Sequence, residues 1–482
     1  MIAAAEENPQ GEARDVSAPE RKARPWVLSA AVALVIAGVY WLFAARQWAL
    51  YRVPSWDLGI FTQLMRAYSE LRSPIVPIKG DGFMLLGDHF HPLLVVLAPF
   101  YALHPSGFTL LAMQAVLFGL TAGIIAWFAV RSLGRWGALI GLAAGLSYLL
   151  AEAAASQFHE IALALPFLAI SLGLLVERRN VAAILWALPL LGVKEDLPLT
   201  VAAIGVVVFF RAATRRERWW GIGTAVGGVA AFLLITSVIL PALNPDGVWD
   251  YASDSILSLL LSDPGAAFGR LGTGLGPKAV MVALPLLIGC VICLRSPLLI
   301  VAIPTLGWRI ASDVQFHWGT SWHYGAVLAP VIYLALVDAL PGFKAMIATQ
   351  RQRLVVPIVS AVSLGVSLVL LPQFALWTLT SPDTWKSNPQ VEAARAAEAQ
   401  VADGEYVEMD ITLMAYLAPR AHVMWLGNDN PTPEVMVLNQ FSGTLHPAPE
   451  DASIYAGQRY PEVDWEQVFS QSGFLVARPV GE

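Results

Sequence analysis

Repeated apolar runs leave this chain few folds to adopt. A helix needs roughly 20 predominantly apolar residues to cross a bilayer. Residues 26–45, 107–130, 219–240, 324–340 and 354–371 reach or approach that length, and shorter runs fill 136–150, 161–176, 181–192, 197–210, 279–294 and 297–308. Hydrophobic residues make up 56% of the chain and charged residues only 14%, with a mean hydropathy of +0.60, whereas a soluble domain is about a quarter charged. The chain therefore reads as an α-helical polytopic membrane protein with about eleven transmembrane helices. The stretch 93–103 is too short to span and is expected to be re-entrant or interfacial.

Basic residues orient the runs. Arg21, Lys22 and Arg24 precede the first run, and Arg131, Arg135, Arg178, Arg179, the 211–218 loop, Arg295, Lys344, Arg351 and Arg353 fall at alternate ends of the others. Cytoplasmic loops carry the excess of Lys and Arg, so the N-terminus is expected in the cytoplasm and the loop 46–91 outside. Three regions follow: a disordered cytoplasmic head at 1–25, a transmembrane domain at 26–372, and an extracytoplasmic domain at 373–482. A cleaved signal peptide is not expected, because the charged lead is long and no small-residue cleavage site follows the first run. In the last region a helical stretch at 391–401 alternates with strand-like runs at 406–409, 423–426, 435–438 and 474–477, the pattern of a small α/β domain. From 372 onward there are fifteen acids and five bases, leaving 21 acids and 25 bases elsewhere. This split argues against nucleic acid as a partner. Cys290 and Cys293 lie inside an apolar run with no second pair, so packing explains them better than redox or metal chemistry.

Ionisable side chains in or beside spans are costly and mark functional sites. On the side opposite the basic loops lie Asp57, Asp88, His89, His91, His159, Glu160, Lys194, Glu195, Asp196, Arg309, Asp313, His317 and His323. Each has a plainer reading. Asp57 can cap a helix starting near Leu58; Asp88 and His89 can pin their loop; His159-Glu160 can anchor a helix turn; Lys194-Glu195-Asp196 can be a self-neutralising span terminus; and His323-Tyr324 can belong to an aromatic belt. Asp88, His89 and His91 are also candidate ligands for a metal that His and Asp suit, although one short His-x-His supplies only two or three ligands.

Taken together, Trp56-Asp57-Leu58-Gly59-Ile60-Phe61, Asp88-His89, Phe158-His159, Lys194-Glu195-Asp196 and His323-Tyr324 resemble, in the same order, a family of bacterial membrane proteins of unknown function recognised by its WDLGIF signature. That family is similar to the GT-C glycosyltransferases. The resemblance covers most of the chain, including 410–426 in the last domain, and departs at His91, where a small residue is expected. It implies a GT-C-like fold in the bacterial plasma membrane, with membrane lipids as surroundings. It also implies a polyprenyl-phosphate-linked sugar as donor, a cell-envelope glycan or glycolipid as acceptor, and Asp57 as the essential acid of the first outer loop. Substrate and phosphate contacts would come from Asp88, His89, His159, Glu160, Lys194, Glu195, Asp196, Arg309, His323 and Tyr324. A divalent metal such as Mg or Mn stays open on this resemblance. The rival readings are a transporter or flippase of lipid-linked sugars, which should show internal repeats that this chain lacks, and a non-catalytic assembly factor, which leaves the cluster of His and acids unexplained.

Overall fold

Every apolar run forms a helix in the computed structural model, which describes residues 24–53, 56–249, 259–260 and 262–481. The head expected at 1–25 lies almost wholly outside those residues. In chain order the helices are α1 (Pro25–Ala49), α2 (Trp56–Ser69), α3 (Pro92–Leu103), α4 (Gly107–Leu133), α5 (Gly137–Ala155), α6 (Ile161–Val176), α7 (Asn180–Gly192), α8 (Leu197–Arg211), α9 (Arg215–Leu243), α10 (Pro264–Gly272), α11 (Leu275–Ile288), α12 (Pro297–Ala311), α13 (His323–Ala345) and α14 (Thr349–Gln373). By length and composition, α1, α4, α5, α9, α13 and α14 suffice to cross a membrane. The pair α10–α11, bent by 61°, makes a seventh if it is one broken span. Helices α6, α7, α8 and α12 coincide with the remaining runs but are shorter, and α3 is the short helix expected at 93–103.

Local sequence sets the ends of these helices. Ser106 accepts the Phe108 amide hydrogen at the start of α4, and at the start of α9 the Thr214 hydroxyl accepts the Glu217 amide hydrogen while the Glu217 carboxylate accepts from the Ala213 amide. Small residues then decide which helices touch. A Cβ built on Gly119 would come within 2.5 Å of the Ala33 carbonyl oxygen, and one on Gly123 within 2.7 Å of the Ala33 Cβ. The four-residue spacing of these glycines lets α1 and α4 approach backbone to backbone, the usual means of helix association in lipid, where no hydrophobic force drives helices together. Tyr40 seals the contact. It sits edge-on to Phe118 at 5.2 Å and donates to the Gly145 carbonyl at 2.8 Å.

The two ends of the bundle differ. At one end Arg131 pairs with Glu177 at 2.6 Å, Arg211 pairs with Asp338 and donates to the Leu175 carbonyl at 3.0 Å, and Ser296 donates to Asp338 at 2.6 Å. This end gathers the basic loops. The other end carries the C-terminal domain, a sheet of order β2-β1-β3-β5-β4 built from β1 (Tyr406–Met409), β2 (His422–Trp425), β3 (Val435–Asn439), β4 (Trp465–Gln471) and β5 (Phe474–Pro479). Strand β1 pairs parallel with β2 and β3, β3 pairs antiparallel with β5, and β4–β5 is a hairpin. Its two-residue turn, Ser472-Gly473, has φ of 46° and 88°, the left-handed pair that matches strand twist.

This domain docks onto the bundle and shares its core. The Gln63 amide donates to the Val423 carbonyl at 2.7 Å and accepts from the Ile78 amide at 3.1 Å. Tyr416 stacks on Trp48 at 3.9 Å and donates to the Trp48 carbonyl at 2.9 Å. Tyr51 donates to Glu398 at 2.6 Å.

Candidate active site at the domain-bearing end

Helix α2 starts at Trp56, so Asp57 sits within its first turn rather than at a cap before Leu58. A carboxylate there faces the positive end of the helix dipole. Its Oδ2 lies 3.3 Å from Nε2 of His159, and about half of its side chain (48%) stays accessible while His159 is buried. Burial raises the Asp57 carboxyl, but the hydrogen bond and charge of His159 more than offset this, leaving it below the ordinary value.

Four features hold His159 in place. Gln114, a lone amide inside the apolar run of α4, accepts the His159 backbone N–H at 3.2 Å and donates to the Gln157 carbonyl at 2.9 Å. Gln157 adopts a left-handed φ of 62°, which turns the chain sharply between α5 and α6. Phe61, one helical turn past Asp57, lies edge-on to both Phe158 and His159. His323, from the start of α13, stacks face to face on His159 at 3.6 Å. The residue before it, Trp322, also has a left-handed φ, 69°. Both loops that deliver the stacked imidazoles thus contain a strained non-glycine residue, each costing on the order of 1–3 kcal/mol.

A band of ion pairs adjoins the histidines. Lys194 bonds the buried Glu160 carboxylate, and Glu195 accepts from His89 Nδ1 at 2.9 Å and from the Phe90 amide at 3.1 Å. Asp88 lies 3.1 Å from Lys79 and 3.8 Å from His89 Nε2. Burial opposes charge at each site, yet the partners dominate. Lys194 is raised by Glu160 and its acidic neighbours, Glu160 is held well below the carboxylate range by Lys194 and the nearby histidines, and Glu195 is lowered to about 2 by His89. His89 is brought up to about 9 by Glu195 and Asp88. Asp196, at the start of α8, has no such partner to outweigh burial and is pushed up to about 6.

Asp57, His159 and His323, the Lys194–Glu160 pair, and Glu195 with His89 and Asp88 thus make three bonded groups, joined by adjacency in the chain and close enough to act on one another's charge. Arg309 and Tyr324 stand in a second layer. Arg309 is buried and donates to the carbonyls of His317 at 2.9 Å and Gly319 at 3.0 Å, so its guanidinium holds the 312–323 loop rather than facing an open site. Tyr324 packs edge-on against His317 and Trp308. The candidate ligands Asp88, His89 and His91 do not converge on one point. His91 is buried against Phe61, and burial lowers it to about 4; His89 and Asp88 are engaged by Glu195 and Lys79. Among the described residues no three His, Cys, Asp or Glu side chains gather in a metal-holding arrangement. Lys79 and Gln114 were not among the expected site residues. Gln114 carried a usable signal, a single amide in the middle of an apolar run.

An α-helical bundle with several helices long and apolar enough to cross a bilayer, and a small sheet domain seated at the end that carries Asp57, defines a polytopic membrane protein. The crystal structure of ArnT from Cupriavidus metallidurans bound to undecaprenyl phosphate has a similar fold, with TM-score 0.50 and 15% identity over 95% of this chain and 98% of that one. Within this class the chain belongs to the family described as predicted membrane protein (DUF2079), whose model matches residues 46–476. No curated protein matches it.

Proposed function

We propose that this protein is a membrane glycosyltransferase that moves a sugar from a polyprenyl-phosphate donor to a cell-envelope glycan or lipid acceptor on the outer face of the bacterial plasma membrane. The observation that carries this reading is the convergence of Asp57, His159, His323 and the Lys194–Glu160 pair at the end of the bundle opposite the basic loops. By the positive-inside rule the basic end is cytoplasmic, which makes the site extracytoplasmic, where a lipid phosphate replaces the nucleotide as leaving group. ArnT, similar in fold, has been crystallised with undecaprenyl phosphate, which supports this donor class.

In the reaction the acceptor oxygen forms a bond to the anomeric carbon from the face opposite the phosphate. The bond from that carbon to the phosphate oxygen breaks, and its electron pair leaves with the polyprenyl phosphate. The acceptor proton passes to Asp57. His159 Nε2–H holds one Asp57 oxygen and keeps the carboxylate ionised, which leaves the other oxygen to act as general base, a contribution of roughly 10²–10⁴ in rate. Lys194 faces the leaving phosphate, its charge balanced by Glu160 until substrate arrives. In many enzymes a preorganised cation placed where negative charge develops contributes more to the rate than any other single effect. Inversion at the anomeric carbon follows from the single displacement.

Purified protein with radiolabelled undecaprenyl-phosphate sugar and a membrane-envelope acceptor tests the reading. Asp57→Asn keeps an acceptor for the His159 N–H and removes only the base, so transfer should fall by roughly 10²–10⁴ with donor binding unchanged. Wild-type turnover by this variant would remove Asp57 from the mechanism. Movement of the labelled lipid across a vesicle bilayer without transfer would indicate a flippase instead.

A further inference from the structure

The C-terminal domain presents an aromatic and amide-rich loop beside the catalytic helix, and neither the packing of the domain nor the proposed chemistry accounts for it. In sheets with parallel strands, ligands bind beyond the carboxyl ends, at the point where strand order reverses. Here that point lies between β1 and β3, and it is closed. Asp410 accepts from the Thr412 amide at 2.7 Å and from the Asn439 amide across the gap. The open part of the same edge is the loop after β2, residues 425–430.

That loop leans on α2. Trp425 meets Trp56, the residue before Asp57, with ring centroids 4.4 Å apart and planes at 87°. Asn428 donates to the Ile78 carbonyl at 3.0 Å. The shape is held from beneath. The Trp425 ring lies so close over Gly427 that a Cβ there would come within 2.2 Å of it, Asn430 donates to the Trp425 carbonyl at 2.7 Å, and Arg459, paired with the fully buried Glu408, donates to the Asn428 carbonyl. Two buried polar atoms of this rigid loop have no protein partner: the Trp425 indole N–H, a donor, and the Asn430 side-chain oxygen, an acceptor. Asp429 between them is exposed.

We propose that Trp56, Trp425 and the 428–430 loop form the subsite for a sugar ring of the acceptor, so that the acceptor is a glycan and the C-terminal domain is the element that recognises it. This rests on the transferase reading above and names its acceptor class. The chemistry fits a sugar better than a lipid chain or a peptide. The C–H face of a sugar ring stacks on the electron-rich face of an indole, and its hydroxyls both donate and accept, as do amide side chains. Trp56 is the residue before the general base and Trp425 packs perpendicular to it, so a ring held there places its own or its neighbour's hydroxyl toward Asp57.

The test is saccharide binding by the full-length protein in detergent, with no lipid donor present, followed by tryptophan fluorescence and saturation-transfer NMR. The probes are methyl glycosides of glucose, mannose, galactose and arabinose and the corresponding trisaccharides. Wild type should bind at least one trisaccharide of the panel. Trp425→Ala should weaken that binding about five- to tenfold, and Asp429→Ala, an exposed change that should leave the melting temperature alone, should weaken it measurably. If Trp425→Ala does not fold, Trp425→Phe with Asp429→Ala decides the matter, the first retaining binding and the second weakening it. The proposal is overturned if no saccharide of the panel binds wild type, or if Asp429→Ala together with the soluble Trp425 variant binds as wild type does. Saccharide binding in a protein that proves unable to use any lipid donor would retain this subsite and sink only the transferase reading.

Discussion

Replacing Lys194 with methionine separates a structural ion pair from a catalytic cation. Lys194 and Glu160 keep 15% and 3% of their side-chain surfaces accessible, so solvent screens the pair little. Removing the lysine leaves a buried carboxylate uncompensated, at a cost of about 3–5 kcal/mol. Adding Glu160→Gln removes that charge, and the double variant should recover most of the lost stability in a thermal-unfolding assay. Activity should behave differently. If Lys194 stabilises the departing phosphate, its loss costs about 10²–10³ in rate, and the double variant should remain that far down in transfer of label from undecaprenyl-phosphate sugar. A double variant that regains both its melting temperature and wild-type transfer would show that the pair only holds the α7–α8 turn against α6.

Other outcomes follow from the same geometry. Because His159 outweighs burial and holds Asp57 below its ordinary 3.8, the base is ionised throughout the neutral range. The pH–rate profile should therefore show no acid limb above about pH 4 from this group, and a limb near pH 6 or 7 would assign the base elsewhere. The His89–Glu195 pair sets a stability window. His89, raised from 6.5 to about 9, stabilises fully below 6.5 and loses its contribution as pH rises through 9, whereas Glu195, lowered from 4.5 to about 2, stabilises fully above 4.5 and loses it as pH falls through 2. The melting temperature of wild type minus that of His89→Ala should be largest between 4.5 and 6.5 and shrink on either side, and a flat difference would count against the pair. At Gly59, a Cβ would lie 2.9 Å from the Met414 Cβ and 3.0 Å from Ile78 Cδ1. Gly59→Val should therefore cost about 1–3 kcal/mol and expose the interface between the domains to limited proteolysis; undiminished stability would mean that α2 and the C-terminal domain are not in register as described.

Much of this was legible in the residues because its cause is local. A run of apolar side chains must avoid water wherever it stands in the chain, so the helices at 26–45, 107–130 and 354–371 were readable from hydropathy alone. Strand β3 was readable for the same reason, being buried along its whole length and apolar at all but its last residue. Strand β4 escaped notice because as an edge strand it alternates half-buried with exposed residues and is specified by its hairpin turn and its partner β5 more than by its own composition. The set of charged residues at one end of the bundle was also visible, since an ionisable group beside a span needs a reason to be there. What no linear reading could assign is which charge meets which. Lys194 takes Glu160, 34 residues away, and leaves its neighbour Glu195 to His89; Arg309 turns inward to hold a loop, and His91 faces an aromatic core instead of a metal. Buried charges are stabilised by partners at hydrogen-bond distance, and those distances exist only once α2, α6, α8 and α13 have packed. The sequence alone thus determined a polytopic membrane protein with a polar end, and tertiary packing decided that Asp57 meets His159, that His159 stacks on His323 and that Lys194 pairs with Glu160.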